Sequence, residues 1–272
     1  MNKAQEYMNC VTGLLQTIMD KEAQNIEAAA QALKNTMMQD GMIYSFGTGH
    51  SVILCSESYR RAGGLANCCP ILDSRVMPFP KAGRPLNEGV IEREEGVTAE
   101  IFKRYPLKKG DSMFVFCYGG KNATSIDAGL LCKELGVTTI CISSVQHALA
   151  VGSTHSSGLL AHQACDISID NHGPVGDAAI PFDGFTFGPV STIVGASIVQ
   201  SVCCRAVELA MQEGYTPDVL LSMNVPGGDE HNQPLFEKYE THHKILTPIT
   251  QGDTKGKGNL WKKKLHPSKC VS

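Results

Sequence analysis

The chain has 272 residues, of which 42% are hydrophobic and 19% charged, with a net charge of −3. That is enough apolar material for one substantial core, and too little net charge for a disordered chain. The longest apolar stretch, Pro189 to Met211, is interrupted by Ser191, Thr192, Gln200, Arg205 and Glu208, so no membrane span is expected.

The first forty residues predict two helices. Val11, Leu14, Leu15, Ile18 and Met19 mark one apolar stripe, Ala23, Ile26, Ala30, Leu33 and Met37 another, and Gly41 stands where a helix ends. Met42 to Phe46 reads as a strand, Val52 to about Ala62 as a helix closed by Gly63-Gly64, and Leu65 to Leu72 as a second strand. Pro78, Pro80 and Pro85 make 73–89 a loop, and Ile91 to Tyr105 follows as a helix. Ser112 to Tyr118 is almost wholly apolar, as a strand covered on both faces must be. Then come a helix over Ser125 to Leu135, a strand over Val137 to Ile142 and a short strand over Asp166 to Asp170. A long loop over 171–188 leads to the longest helix, Val190 to about Gln212, and a strand-like Val219 to Met223. Strands alternating with helices predict an α/β fold, a three-layer αβα sandwich with a five-stranded parallel sheet and an N-terminal helical extension.

Residues 1–250 read as a single domain, with the helices of 1–40 packing on it. From Gln251 to Ser272 six lysines face one acid, Asp253, a local +5 that leaves −8 on the rest. An acidic body argues against nucleic-acid binding, and 251–272, without periodicity, reads as a flexible basic tail. The eleven cysteines show no C-x-x-C spacing; Cys117, Cys132, Cys141 and Cys165 lie inside apolar runs. This is the usage expected of a reduced, cytoplasmic protein with neither a disulfide framework nor a metal site. Lys3, Glu6 and Asn9, in place of a basic and then apolar start, argue against a secretory signal.

Two strand-to-helix junctions carry glycine. In Gly47-Thr48-Gly49-His50-Ser51 the glycines let the backbone turn sharply and expose N–H groups at a helix start, a geometry that favours an anion. Val52 occupies the place of the third glycine of a dinucleotide fingerprint, so no dinucleotide cofactor is expected. Gly119-Gly120-Lys121-Asn122 repeats the arrangement with a lysine to neutralise charge, and Ser143-Ser144 follows the next strand. Ligands of parallel sheets bind beyond the carboxyl ends of the strands, so these segments converge on a phosphate-sized anion.

The ordered blocks Phe46 to Ser51, Tyr59 to Leu65, Thr154 to Gly158, Asp170-Asn171, Pro174 to Asp177 and Gly227 to Asn232 resemble the SIS (sugar isomerase) domain family across roughly 1–245. The resemblance implies a flavodoxin-like sheet, a phosphorylated sugar as ligand, no cofactor, and a homodimer or higher oligomer joined through helices. Relatives usually carry a Ser-Asn-Ser-Gly-Arg-Asn loop where this chain has Cys117 to Asn122; two hydroxyl donors are missing, while the Gly119 and Gly120 amides and the Lys121 ammonium remain.

Aldose–ketose isomerisation needs a base that moves a proton between adjacent carbons. By its similarity to phosphoheptose isomerases, Glu57 is the candidate; by spacing alone it is equally an i,i+4 surface partner of Arg61. Those isomerases pair the glutamate with a histidine on the last long helix, and Gln200 to Cys204 contains none. His155 and His231 are the substitutes expected from glycine-, serine- and aspartate-rich loops, donated within one chain or across a dimer interface, with His50 inside the anion loop and Asp177, Asp229 and Glu230 to orient them or bind sugar hydroxyls. The expected activity is therefore a sugar-phosphate isomerase or a related lyase or etherase. The alternative is a non-catalytic phosphosugar sensor.

Overall fold

The computed structural model describes residues 1–77 and 91–245, so the basic tail and most of the expected 73–89 loop lie outside the described residues. Asn2 opens α1 (Lys3–Lys21) with a capping box: its Oδ1 accepts from the Gln5 amide at 3.0 Å, and Gln5 Oε1 accepts from the Asn2 amide at 3.1 Å. Glu22 interrupts the run before α2 (Ala23–Met38). Then follow β1 (Ile43–Gly47), α3 (Val52–Glu57), β2 (Cys68–Ile71), α4 (Val97–Phe102), β3 (Ser112–Phe116), α5 (Ala123–Leu135) and β4 (Thr138–Ser143). The remainder comprises α6 (Val145–Val151), α7 (Ala161–Ala164), β5 (Ile167–Asp170), β6 (Ala178–Phe182), β7 (Phe185–Pro189), α8 (Ser191–Gln212), α9 (Gly228–Lys238) and α10 (Glu240–Lys244).

Five strands pair in parallel in the order β2-β1-β3-β4-β5. The order reverses direction between β1 and β3, which places a crevice beyond their carboxyl ends. Period-two alternation divides β3 between two cores. Phe114 and Phe116 join Ile43, Ile140, Ile142 and Ile169 beneath α2 and α8; Met113 and Val115 join Tyr44, Phe46 and Ile71 against Ile101, Phe102 and Tyr105. A strand buried on both faces has no polar side, hence its unbroken apolar sequence.

The helix α8 is long and apolar enough to cross a bilayer by length and composition. Its apolar residues have another use: Val194, Ile198, Val199, Val202 and Ala206 are buried with Ala29, Ala30, Leu33 and Met37 of α2. Gly195 lets α8 approach α3, because a Cβ there would stand 2.6 Å from Leu54 Cδ1.

Several boundaries differ from the sequence expectation, each for a local reason. The helix α3 stops at Glu57 because the backbone turns through left-handed Arg60 and Gly63 (φ +48° and +77°). The expected helix over Ile91 to Tyr105 is split by Gly96 at φ +83° into a 3₁₀ turn, Ile91–Arg93, and α4. Within the expected 171–188 loop, β6 and β7 form an antiparallel hairpin around the two-residue turn Asp183-Gly184. The strand expected over Val219 to Met223 reduces to one antiparallel bridge, Val219 with Leu65.

Candidate functional site

The chain leaves β1 through Gly47, where a Cβ would lie 3.0 Å from Ser51 Cβ and 3.1 Å from the Phe116 carbonyl; only glycine lets the turn close this tightly. Gly49, at φ +57°, starts a 3₁₀ turn over Gly49–Ser51 that runs directly into α3. The chain leaves β3 through Cys117 to Asn122, with Gly120 at φ +60° packed against Ala148. Because β1 and β3 are neighbours, both turns open onto one cavity of about 350 Å³. Thr48, Gly49, His50 and Ser51 line one wall and Cys117, Tyr118, Gly119, Gly120, Asn122 and Ser125 another. Glu92, Asn171, Asp177, Ser191 and Thr192 line the rest with Leu54 and Ile142.

Asn122 is the N-cap residue of α5 but does not cap it: its side chain makes no hydrogen bond to the helix amides. Its Nδ2 donates instead to Glu92 Oε1 at 2.9 Å, and its Oδ1 is buried without a partner. A helix whose first-turn N–H groups lack a side-chain acceptor presents its positive dipole end to whatever lies before it, here the cavity. Asp177 serves the other helix. Its Oδ1 accepts from the Val190 and Ser191 amides at 3.0 and 2.9 Å, and its Oδ2 from Ser191 Oγ at 2.7 Å, so it caps α8 from across the loop.

The expected site residues divide into two groups. Thr48, Gly49, His50, Ser51, Gly119, Gly120 and Asn122 line the cavity. Lys121 is not part of the lining; its carbonyl accepts from Thr154 Oγ1 at 3.0 Å. Ser143 is buried with an unpartnered Oγ, while Ser144 caps α6 by accepting from the His147 amide at 3.2 Å. Glu57 ends α3 away from the lining and forms the i,i+4 pair with Arg61, at 3.1 Å.

His155 is folded against the protein rather than the cavity, its Nε2 3.1 Å from Asp127 Oδ1 and its Nδ1 2.7 Å from Ser157 Oγ. His231 is on α9, donating from Nε2 to the Val219 carbonyl at 2.9 Å. That carbonyl belongs to the segment bridged to Leu65, which precedes β2, so His231 lies at the opposite end of the sheet from the cavity. Asp229 and Glu230 occupy the first turn of α9 beside it.

Two titratable side chains that the sequence did not single out bear on the site, Glu92 in the cavity lining and His147 against the lining residue Tyr118. Glu92 reaches both loops, as its Oε2 also accepts from Thr48 Oγ1 at 2.8 Å. His147 packs on Tyr118 with ring centroids 5.3 Å apart and accepts from the Gly176 amide through Nδ1 at 3.0 Å. Burial, and then the nearby Lys121 charge, lower its pKa below the ordinary histidine value, with Asp177 opposing. Among the described residues no three His, Cys, Asp or Glu side chains come together as a metal site.

The SIS domain family model matches residues 6–144. A UPF0309 protein of Oceanobacillus iheyensis is 34% identical over 246 residues, covering 88% of this chain and 98% of its own length. One from Listeria innocua is 36% identical over 242 residues, covering 88% and 97%. A solved structure of phosphoheptose isomerase from Neisseria gonorrhoeae superposes with TM-score 0.50 at 12% identity, over 77% of this chain and 97% of that one. At that identity the likeness speaks for the fold.

Proposed function

The chain belongs to the SIS domain family, and from that premise we propose that it binds a phosphorylated sugar in the cavity between the Gly47–Ser51 and Cys117–Asn122 loops and interconverts its aldose and ketose forms. The observation that carries the binding half is the convergence of two glycine turns and the uncapped N-terminus of α5 on one space. A phosphate there meets a helix dipole end worth up to ~2 kcal/mol and charge-assisted hydrogen bonds of about 1.5–3 kcal/mol each. The Gly119 and Gly120 amides and the Ser51 hydroxyl are the proposed phosphate donors, with Asn171, Ser191 and Thr192 left for sugar hydroxyls. The volume is that of a small-molecule site. The isomerase half is supported by polar and titratable lining: a carboxylate and an imidazole, Glu92 and His50, share the cavity.

The same reading makes the protein cytoplasmic, in keeping with ten free cysteines among the described residues. It also makes it self-associating through α1 and α8, whose outward faces expose Met8, Met19, Ile193 and Met211. A second reading, a phosphosugar sensor, is favoured by one observation: α8 brings no histidine to the cavity. Incubation with hexose, pentose and heptose phosphates in deuterated water separates the two. Label at C1 or C2 of the sugar is the expected result; binding without label for every sugar overturns the isomerase and leaves the sensor.

A further inference from the structure

Two carboxylates among the described residues line the cavity, and they are differently employed. Asp177 commits both oxygens to the start of α8. Glu92 hangs between the two loops, one oxygen on each: Thr48 Oγ1 donates to Oε2 and Asn122 Nδ2 to Oε1. Its main chain is pinned too, since Thr124 Oγ1 donates to the Glu92 carbonyl at 3.2 Å. The carboxylate therefore projects from a fixed turn to a defined place in the crevice.

The geometry points to Glu92, rather than Glu57, as the catalytic base that moves the proton between adjacent sugar carbons; the inference rests on the isomerase reading above. The partners of Glu92 among the described residues, a hydroxyl and an amide, are neutral, and they orient the carboxylate without placing a cation on it. Glu57 is instead engaged by the Arg61 guanidinium and lies off the cavity lining. Gly49 leaves the side of the carboxylate open: among the described residues a Cβ there would meet only Glu92 Oε2 within 4 Å, at 3.7 Å. In the step, the carboxylate takes the proton from C2 of the aldose, and the C2–H electron pair becomes the C1=C2 bond of an enediol. The carboxylic acid then returns the proton to C1. The C2 hydroxyl loses one proton and O1 gains one, so the product is the ketose with no atom or electron gained or lost.

The test uses the full-length protein and whichever hexose, pentose or heptose phosphate the wild type labels fastest in deuterated water, with its dissociation constant measured by calorimetry. Glu92→Gln is expected to slow exchange by ~10²–10⁴-fold, the usual worth of a general base, while the sugar phosphate still binds with nearly the wild-type constant. Glu92→Asp keeps the charge and should restore part of the rate, and Glu57→Gln should exchange like the wild type. Wild-type exchange in Glu92→Gln, or loss of exchange in Glu57→Gln alone, overturns the assignment and leaves the isomerase reading standing. Tighter binding with exchange retained in Glu92→Gln also overturns it, marking Glu92 as a stopper that the phosphate displaces. A wild type that binds the sugars and labels none removes the isomerase reading, and the role of Glu92 with it.

Discussion

Replacing Asp177 tests whether a single loop carboxylate holds the start of α8 and, through Ser191 and Thr192, one wall of the cavity. Val190, the N-cap residue of α8, offers no side-chain acceptor; its amide also reaches the Asp177 carbonyl at 3.3 Å, but among the described residues the Ser191 amide and hydroxyl donate to the carboxylate alone, at 2.9 and 2.7 Å. Asp177→Ala removes the acceptor at a cost of about 2 kcal/mol, the upper range for a lost N-cap. In a chain of this size that lowers Tm by roughly 4–8 °C, at ~2–4 °C per kcal/mol. Residue 177 also sits at φ +71°, where glycine is at ease and alanine is not. Asp177→Gly should accordingly recover about 1 kcal/mol relative to alanine, despite losing the same acceptor. Asp177→Asn, which keeps one oxygen, should also rank above alanine. Thermal melts followed by circular dichroism at fixed protein concentration decide it. An alanine variant that melts with the wild type, or a glycine variant that melts no higher than alanine, refutes the reasoning.

Tyr105 Oη accepts from the buried Leu72 amide at 2.8 Å and donates to its carbonyl at 3.0 Å, so Tyr105→Phe should cost about 1–3 kcal/mol; unchanged exchange protection of the Leu72 amide would count against this. A methyl at Gly195 meets Leu54 Cδ1 at 2.6 Å, so Gly195→Ala should destabilise by roughly 1–3 kcal/mol, and Leu54→Ala in the same chain should relieve part of that; strictly additive effects in denaturant titrations would contradict the contact. Burial lowers the His162 pKa below its ordinary 6.5, with Asp170 opposing, and its Nδ1 is buried without a partner. The unfolded chain then binds the proton that the folded chain refuses, so stability falls as pH drops from about 6.5 towards the lowered folded value. Denaturation midpoints taken across that interval should fall less steeply for His162→Gln, and identical slopes would exclude this contribution.

The sheet was legible because its physics is periodic. A strand buried on both faces, such as β3, advertises itself by lacking polar residues, and glycines at the ends of β1 and β3 mark where the backbone must turn. The Asp183-Gly184 hairpin was read as loop: its two-residue turn carries the hairpin signal, but Pro181 and Gly188 in the flanking strands disguised it. Glu92 was not readable. It stands in the run Glu92-Arg93-Glu94-Glu95, which reads as a solvated charged face, and only the packing of its 3₁₀ turn against α5 brings it to Thr48 and Asn122. His155 misleads in the opposite sense: its serine- and glycine-rich loop resembles a site, yet Asp127, from the middle of α5, draws the ring inward. Ser144 carries the right hydroxyl for an anion and spends it on α6 and the Gly173 carbonyl.

The bridge between Val219 and Leu65 is flanked by hydrogen bonds from Leu220 to Gly64, Gly63 to Leu220 and Ala66 to Asp218, at 2.7–2.9 Å. The approach to β2 is thus completed by residues some hundred and fifty positions later in the chain. At ~5–20 residues per second, a ribosome takes roughly 10–30 s to deliver them. For that interval a nascent chain carries β2 without the segment that covers its entry, and the edge strand is open to chaperones and to misdirected pairing.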